Sequence, residues 1–158
     1  MASLSIFSAI FIVLSLAVCS SSKVTTFYPT VPTTTKFPSI SVLSNYSNEL
    51  TKNSPKVPGA TEYYHTINII VKKSGLYTFT SQSNLNTFGV LFMDRFDPLN
   101  IGLYLISSVN LFDDNHQFKL SHNLKEGTPY VLLITTTSAY QTGNFTIIAS
   151  GPDHLQLF

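Results

Sequence analysis

The sequence predicts an all-β fold, a two-sheet antiparallel sandwich, preceded by a signal-peptide helix and a disordered linker. Three observations predict it. Residues 1–19 contain an apolar run, residues 20–61 are rich in Ser, Thr and Pro, and residues 62–158 consist of short apolar runs separated by turn residues. A chain of 158 residues has room for one ordinary domain, which we place at 62–158.

Residues 1–19 have the pattern of a secretion signal. The apolar run over 4–18 would cover roughly 22 Å as a helix, short of the ~30 Å hydrocarbon core. Ala17 and Cys19 are small residues that suit a cut after Cys19, and cuts one or three residues later fit as well. Because no Lys or Arg precedes the run, an uncleaved anchor and a buried core helix stay open, and the stretch 16–19, read as a lipobox, leaves a bacterial lipoprotein open as well. We expect a secreted, extracellular protein without membrane attachment after cleavage.

The predicted linker, 20–61, is densest in Thr and Pro over 25–39. Proline fixes φ and lacks an N–H donor, which disfavours helix and central strand. An extended, O-glycosylated stalk and a plain disordered linker are both compatible with this composition. Phe37 and Ile40 are more apolar than most linkers carry, so part of the segment, especially 39–43, could instead dock on the domain as an edge strand.

Eight runs in the domain predict strands. Tyr77 and Phe79 alternate with Thr78 and Thr80, for example, and a two-residue alternation marks a half-buried strand. Two sheets are required because each has an apolar face that must be covered. The runs are 63–72, 76–81, 88–93, 103–109, 117–122, 130–137, 144–150 and 154–158.

The expected core follows from the same alternation, and we expect these side chains to lie between the sheets: Ile67, Ile69, Tyr77, Phe79, Leu91, Phe118, Leu120, Tyr130, Leu132, Ile134, Phe145 and Ile147. Cys19 is the single cysteine, so no intramolecular disulfide can form. Stability must therefore come from apolar burial and sheet hydrogen bonds.

Composition and motifs argue against several function classes. Charged residues are 11% of the chain and the net charge is +1, with no basic run to attract nucleic acid or an anionic membrane. The sequence has no Gly-x-Ser-x-Gly, no His-Glu-x-x-His, no phosphate-cradling glycine loop and no cysteine pair. We therefore predict that the protein is not an enzyme, although a Ser-His-Asp triad assembled from distant positions stays open.

Carboxylates in two predicted turns are the candidate metal ligands. Asp94 and Asp97 lie in one turn, and Asp113 and Asp114 lie in another. Loops at one end of a sandwich can converge, and Ca²⁺ takes six to eight hard oxygen ligands of this kind. The alternative is that Asp favours turns because it hydrogen-bonds its own backbone. A structural Ca²⁺ is the one cofactor we consider, and no other is expected.

Tyrosines and asparagines supply the remaining candidates. Tyr63, Tyr64 and Tyr140 fall near strand ends or loops, where an exposed ring can stack on a sugar or anchor a protein partner. The alternative is that these rings belong to core or rim packing. Asn45 and Asn144 each begin an Asn-x-Ser/Thr triplet and are predicted N-glycosylation acceptors.

Four segments carry a family resemblance. "GLYTFTSQS", "FGVLFMDRFDP", "LFDDNHQFKLSHNLKEGTPYVLLITT" and "GNFTIIASGP" together resemble the pre-peptidase C-terminal (PPC)-like domain of secreted bacterial and rotifer proteins. The resemblance covers 63–151 and implies a jelly-roll-like sandwich with an accessory, non-catalytic role in secretion, maturation or attachment. One departure is that the acidic residue opening a central strand of the family falls at Gly89 here, which weakens any ion site taken over from the family.

These observations together predict a secreted, non-catalytic β-sandwich module for extracellular binding or adhesion. Its partner would be a matrix component, a surface glycan or a protein. A purely structural spacer domain displayed on a stalk is the first alternative, and a small secreted hydrolase is the second.

Overall fold

The computed structural model describes residues 41–108, 111–112 and 116–158. The predicted signal peptide (1–19), the linker up to residue 40, and Asp113 and Asp114 lie outside the described residues. The described chain forms ten strands: β1 (Val42–Leu50), β2 (Tyr64–Ile70), β3 (Gly75–Ser83), β4 (Thr87–Met93), β5 (Leu105–Ser108), β6 (Leu111–Phe112), β7 (Phe118–Leu124), β8 (Tyr130–Thr136), β9 (Gly143–Gly151) and β10 (Gln156–Leu157). Within the described part there is no helix, and hence none of a length and hydropathy suited to crossing a membrane.

The strands form two antiparallel sheets. The first sheet has the order β1-β9-β3-β7-β6, and the second has the order β10-β2-β8-β4-β5. All twelve side chains of the predicted core belong to one buried cluster, to which both sheets contribute. The prediction of an all-β, two-sheet antiparallel fold is therefore confirmed, because alternation in the sequence identified the inward face of each strand.

β1 corrects the predicted domain boundary. It lies within the predicted linker, 20–61, yet it pairs with β9 over its whole length, from Val42 opposite Gly151 to Leu50 opposite Gly143. Leu50 is fully buried in the core cluster. The predicted start of the domain at residue 62 is therefore wrong: the proline-rich composition ends before β1, and a regular edge strand begins there.

The second sheet is covered on both faces. Every residue of β8 is buried, and a second apolar cluster lies on the side of β4 and β8 that faces away from the main core. Two irregular segments cover it: residues 51–63 contribute Val57 and Ala60, while residues 94–104 contribute Phe96 and Ile101. The part of the predicted linker that follows β1 thus also belongs to the folded body.

Candidate functional site

A polar cluster links the two sheets between β1 and β2. Tyr46 and Asn48 lie on β1 of the first sheet, and His65 lies on β2 of the second. The Tyr46 hydroxyl is 2.8 Å from Nε2 of His65, and the Asn48 amide Nδ2 donates to that hydroxyl over 2.9 Å. The same Nδ2 lies 3.3 Å from Nε2 of His65. We call these three residues the edge cluster.

The hydrogen bonds of the edge cluster fit a neutral histidine with Nε2 as the acceptor. Oδ1 of Asn48 accepts the backbone N–H of Glu49 at 2.8 Å, which fixes the side-chain amide with its Nδ2 toward His65. With Nε2 of His65 as the acceptor, the Tyr46 hydroxyl donates to it, and the Asn48 amide faces an acceptor and not another donor. Burial lowers the pKa of His65, and the ring of Phe145 at 5.6 Å forms part of that apolar surrounding.

We expect the edge cluster to make stability pH-dependent. The lowered pKa means that the unfolded chain binds a proton at His65 more readily than the folded chain does. The contribution is complete above the ordinary value of 6.5 and is lost as the pH falls through the folded pKa. Urea unfolding measured near neutral pH and at about pH 5 gives the free energy of unfolding at each pH. This free energy should fall less between the two pH values for His65→Gln than for the parent chain.

The matched control for that measurement is His154→Gln, because His154 is an exposed histidine near the C-terminus. This variant should keep the pH dependence of the parent. An unchanged pH dependence in His65→Gln would contradict the role given to the edge cluster. Tyr46 is the other titratable group facing His65, and Tyr46→Phe should reduce stability at neutral pH because it removes the hydroxyl.

The edge cluster does not build a catalytic cavity. A shallow, open depression of about 500 Å³ lies beside it and is lined by Ser47, Asn48, Glu49, Asn144, Phe145 and Thr146. Neither the Tyr46 hydroxyl nor the His65 ring lines that depression. The hydrogen bonds of the cluster can hold β1 against the opposite sheet, so its role is to position that strand. Sequence reasoning missed it because Tyr46 and His65 are 19 positions apart and lie on different sheets.

The Asp97 carboxylate is engaged within its own loop. Its Oδ1 accepts the N–H of Leu99 and its Oδ2 accepts Nδ2 of Asn100, both at 2.9 Å. The Asn100 side chain, followed by the Leu99 N–H, holds the pKa of Asp97 below its usual value. Asp94 is exposed in the same loop, in a left-handed conformation. Asp97 therefore makes the backbone hydrogen bond that the turn-forming alternative expects.

Only two of the four predicted calcium ligands, Asp94 and Asp97, lie within the described residues. Over residues 41–108, 111–112 and 116–158, no group of three or more His, Cys, Asp or Glu side chains is placed to hold a metal ion. Because Asp113 and Asp114 lie outside that range, the Ca²⁺ site stays a prediction.

The three candidate tyrosines have different environments. Tyr63 is only 7% exposed and belongs to the main core, so it is not available to a ligand as predicted. Tyr64 is half-buried, with its ring edge-on to Phe96 at 5.2 Å. Tyr140 is 61% exposed and is the one of the three that presents its ring to solvent. Tyr63 and Tyr64 differ because consecutive strand residues point to opposite faces.

Tyr140 lies beside a lysine in the folded chain. Its backbone has a φ of 57°, in the left-handed region, and its N–H donates to the carbonyl of Thr61 over 3.2 Å. The Lys56 ammonium lies 5.2 Å from the ring centroids of both Tyr63 and Tyr140, within cation–π range. Lys56 was not a predicted site residue because it fell in the predicted linker, and no local pattern marks it.

Both predicted glycan acceptors lie on one face. Asn45 on β1 and Asn144 on β9 are exposed, opposite Ile148 and Glu49 respectively. Side chains alternate between the two faces of a strand, and both asparagines fall on the alternate positions that are not buried. Both therefore project from the outer face of the first sheet.

Comparison of the chain with protein-family models and with curated proteins finds no match. The functional proposal for this chain therefore depends on its own residues.

Proposed function

We propose that this protein is a secreted, non-catalytic module that binds an extracellular partner through Tyr140 and Lys56. The observation that carries the proposal is the exposed Tyr140 ring, held in a left-handed backbone conformation with a lysine ammonium against it. A non-glycine residue in this region costs of order 1–3 kcal/mol, and such strain concentrates where a side chain must be presented to a ligand.

The chemistry of this pair favours one ligand class. A tyrosine face stacks on the apolar face of a sugar ring, and its hydroxyl adds a hydrogen bond. An ammonium beside the ring pairs with a carboxylate or sulfate. An acidic glycan therefore fits Tyr140 and Lys56 best among the matrix, surface-glycan and protein partners considered for this chain.

Export to the cell exterior is part of the same proposal. The apolar run at the N-terminus and the two acceptor triplets support it, and the exposure of Asn45 and Asn144 leaves both amides open to a glycan. Glycans at these positions would lie on the outer face of the first sheet. Tyr140 lies in the loop that joins β8 of the second sheet to β9 of the first, four residues before Asn144.

A PPC-like, jelly-roll identity is also a proposal. Without β6 and β10, the strand orders are β1-β9-β3-β7 and β2-β8-β4-β5, and the chain crosses between sheets at most connections. That alternation supports a jelly roll, in which two four-stranded sheets are wound from paired Greek keys. The family resemblance over 63–151 adds support and implies an accessory role.

The test uses the mature chain recovered from culture medium. Its N-terminal sequence and its mass before and after enzymatic removal of N-glycans check export and glycosylation. Binding is then measured to immobilised heparin and hyaluronan, with dextran as the neutral comparison. We expect Tyr140→Ala to weaken binding to an acidic polymer at least tenfold.

Phe158→Ala is the matched control, because Phe158 is an aromatic residue of similar exposure, 58% against 61%. This variant should bind like the parent chain. If none of the three polymers is retained by the parent chain, or if Phe158→Ala weakens binding as much as Tyr140→Ala, the proposed contact is wrong. The spacer alternative predicts the first of those results.

A further inference from the structure

We propose that the outer edge of β1 is a self-association surface, on which a second copy of this chain pairs its own β1 antiparallel. The pairing would join two five-stranded sheets into one continuous sheet. This inference goes beyond the proposed binding function, since it uses no residue of the Tyr140 contact.

β1 is an edge strand among the described residues, with β9 on its only paired side. It is nine residues long, and its register with β9 runs without interruption from Val42 to Leu50. It contains no proline, and Glu49 is its one charged residue. Proteins that prevent edge pairing do so with prolines, bulges, several charges or a cover, and β1 itself carries none of the first three.

The other edges of the described sandwich are short. β6 and β10 have two residues each, and β5 has four. A short edge offers too few backbone groups to hold another chain. β1 spans about 30 Å of backbone, which is long for a strand in a globular protein. Among the described residues, the one edge of useful length is therefore β1.

The sequence of β1 is compatible with pairing against itself. Antiparallel pairing centred on Tyr46, the middle residue, places Val42 of one copy opposite Leu50 of the other. It places Leu43 opposite Glu49, so that the two carboxylates are not opposite each other. Leu43 is 56% exposed and would lose much of that apolar exposure beside the methylenes of Glu49. The second copy is favoured because this register leaves the strand's one charge without a like-charged partner.

The register gives a charge-specific test. Leu43→Glu would place a new carboxylate opposite Glu49 of the second copy, and like charges directly opposite destabilise a strand pair. Leu43→Lys would instead place opposite charges together. Sedimentation equilibrium of the mature chain, with N-glycans enzymatically removed, should show a dimer that Leu43→Glu weakens at least tenfold and Leu43→Lys does not. The double variant Leu43→Glu/Glu49→Lys should restore the dimer.

Leu76→Glu is the matched control, because Leu76 is 57% exposed on β3, away from the β1 edge. This variant should dimerise like the parent chain. A parent chain that stays monomeric at about 100 µM would overturn the proposal, and residues 1–40 lying along β1 would give that result. Equal effects of Leu43→Glu and Leu43→Lys would also overturn it. Binding through Tyr140 should be unaffected in every case, so failure here leaves the proposed function standing.

Discussion

A chain that begins at residue 62 is expected not to fold, whereas a chain that begins at residue 41 folds cooperatively. Truncation at 62 removes β1, which leaves the whole length of β9 unpaired on that side. It also removes Leu50 and Val57, one from each apolar cluster. Burying one such side chain contributes about 1.5–3 kcal/mol, and domains of this size are stable by only about 5–15 kcal/mol. Near-ultraviolet circular dichroism and urea titration of the two chains measure the difference.

An intermediate truncation separates the two contributions. A chain that begins at residue 52 lacks β1 but keeps the segment that covers the second sheet with Val57 and Ala60. We expect it to be strongly destabilised, since the edge cluster and Leu50 are gone. If the chain from residue 62 unfolds cooperatively at the same urea concentration as the chain from residue 41, β1 is not part of the folding unit.

The strands that the sequence predicted correctly share one property, which is a regular apolar side. Tyr77 and Phe79 on β3, and Phe145 and Ile147 on β9, point inward two positions apart in each case. β1 was anticipated only as the alternative of an edge strand over 39–43, and most of its length was missed because its inward positions include polar residues. Asn48 occupies one of them and is satisfied by Tyr46 and His65 from neighbouring positions in the fold. Alternation alone cannot anticipate a polar residue whose partners include one from a distant part of the chain.

The sequence predicted only part of the two-sided burial of the second sheet. Val131 and Leu133 showed that the second face of β8 is apolar, but nothing in the sequence showed what covers it. The cover comes from irregular segments, in which Phe96 contacts Phe92 at a ring-centroid distance of 5.0 Å. Such contacts depend on loop conformation, and loops have no periodicity from which to predict them.

The candidate site was predicted incompletely for a similar reason. Tyr140 could be chosen from its position in a loop, but its exposure depends on how the loop backbone turns at a left-handed residue. Lys56 reaches Tyr140 across 84 positions of sequence, and only the packing of two loops brings them together. The sequence therefore suggested the type of side chain, and the fold determined which one is exposed.

Gly89→Asp on β4 is expected to cause a large loss of stability. Gly89 lies opposite Ile134 of β8, on the same face as Leu91 and therefore toward the main core. A Cβ at this position would lie 2.6 Å from Cε2 of the Phe118 ring, which belongs to the other sheet. The aspartate would combine this clash with the burial of a carboxylate that has no partner there, and an unpaired charge is far costlier to bury than a methyl group. Urea unfolding should show a cost well above that of Gly89→Ala, for which overpacking predicts about 1–3 kcal/mol.

Phe118, whose ring a Cβ at position 89 would contact, provides the control. Phe118→Leu alone should be destabilising because it removes part of a fully packed ring. Combined with Gly89→Ala, it should cost less than the sum of the two single variants, since the smaller side chain makes room for the methyl group. Strictly additive costs would contradict the close approach of the two sheets at this point. The same position bears on the family resemblance, because the resembled family carries an acidic residue there. In this chain the Phe118 ring occupies the space that a side chain at position 89 would fill. A carboxylate at position 89 and this contact between the sheets therefore exclude each other.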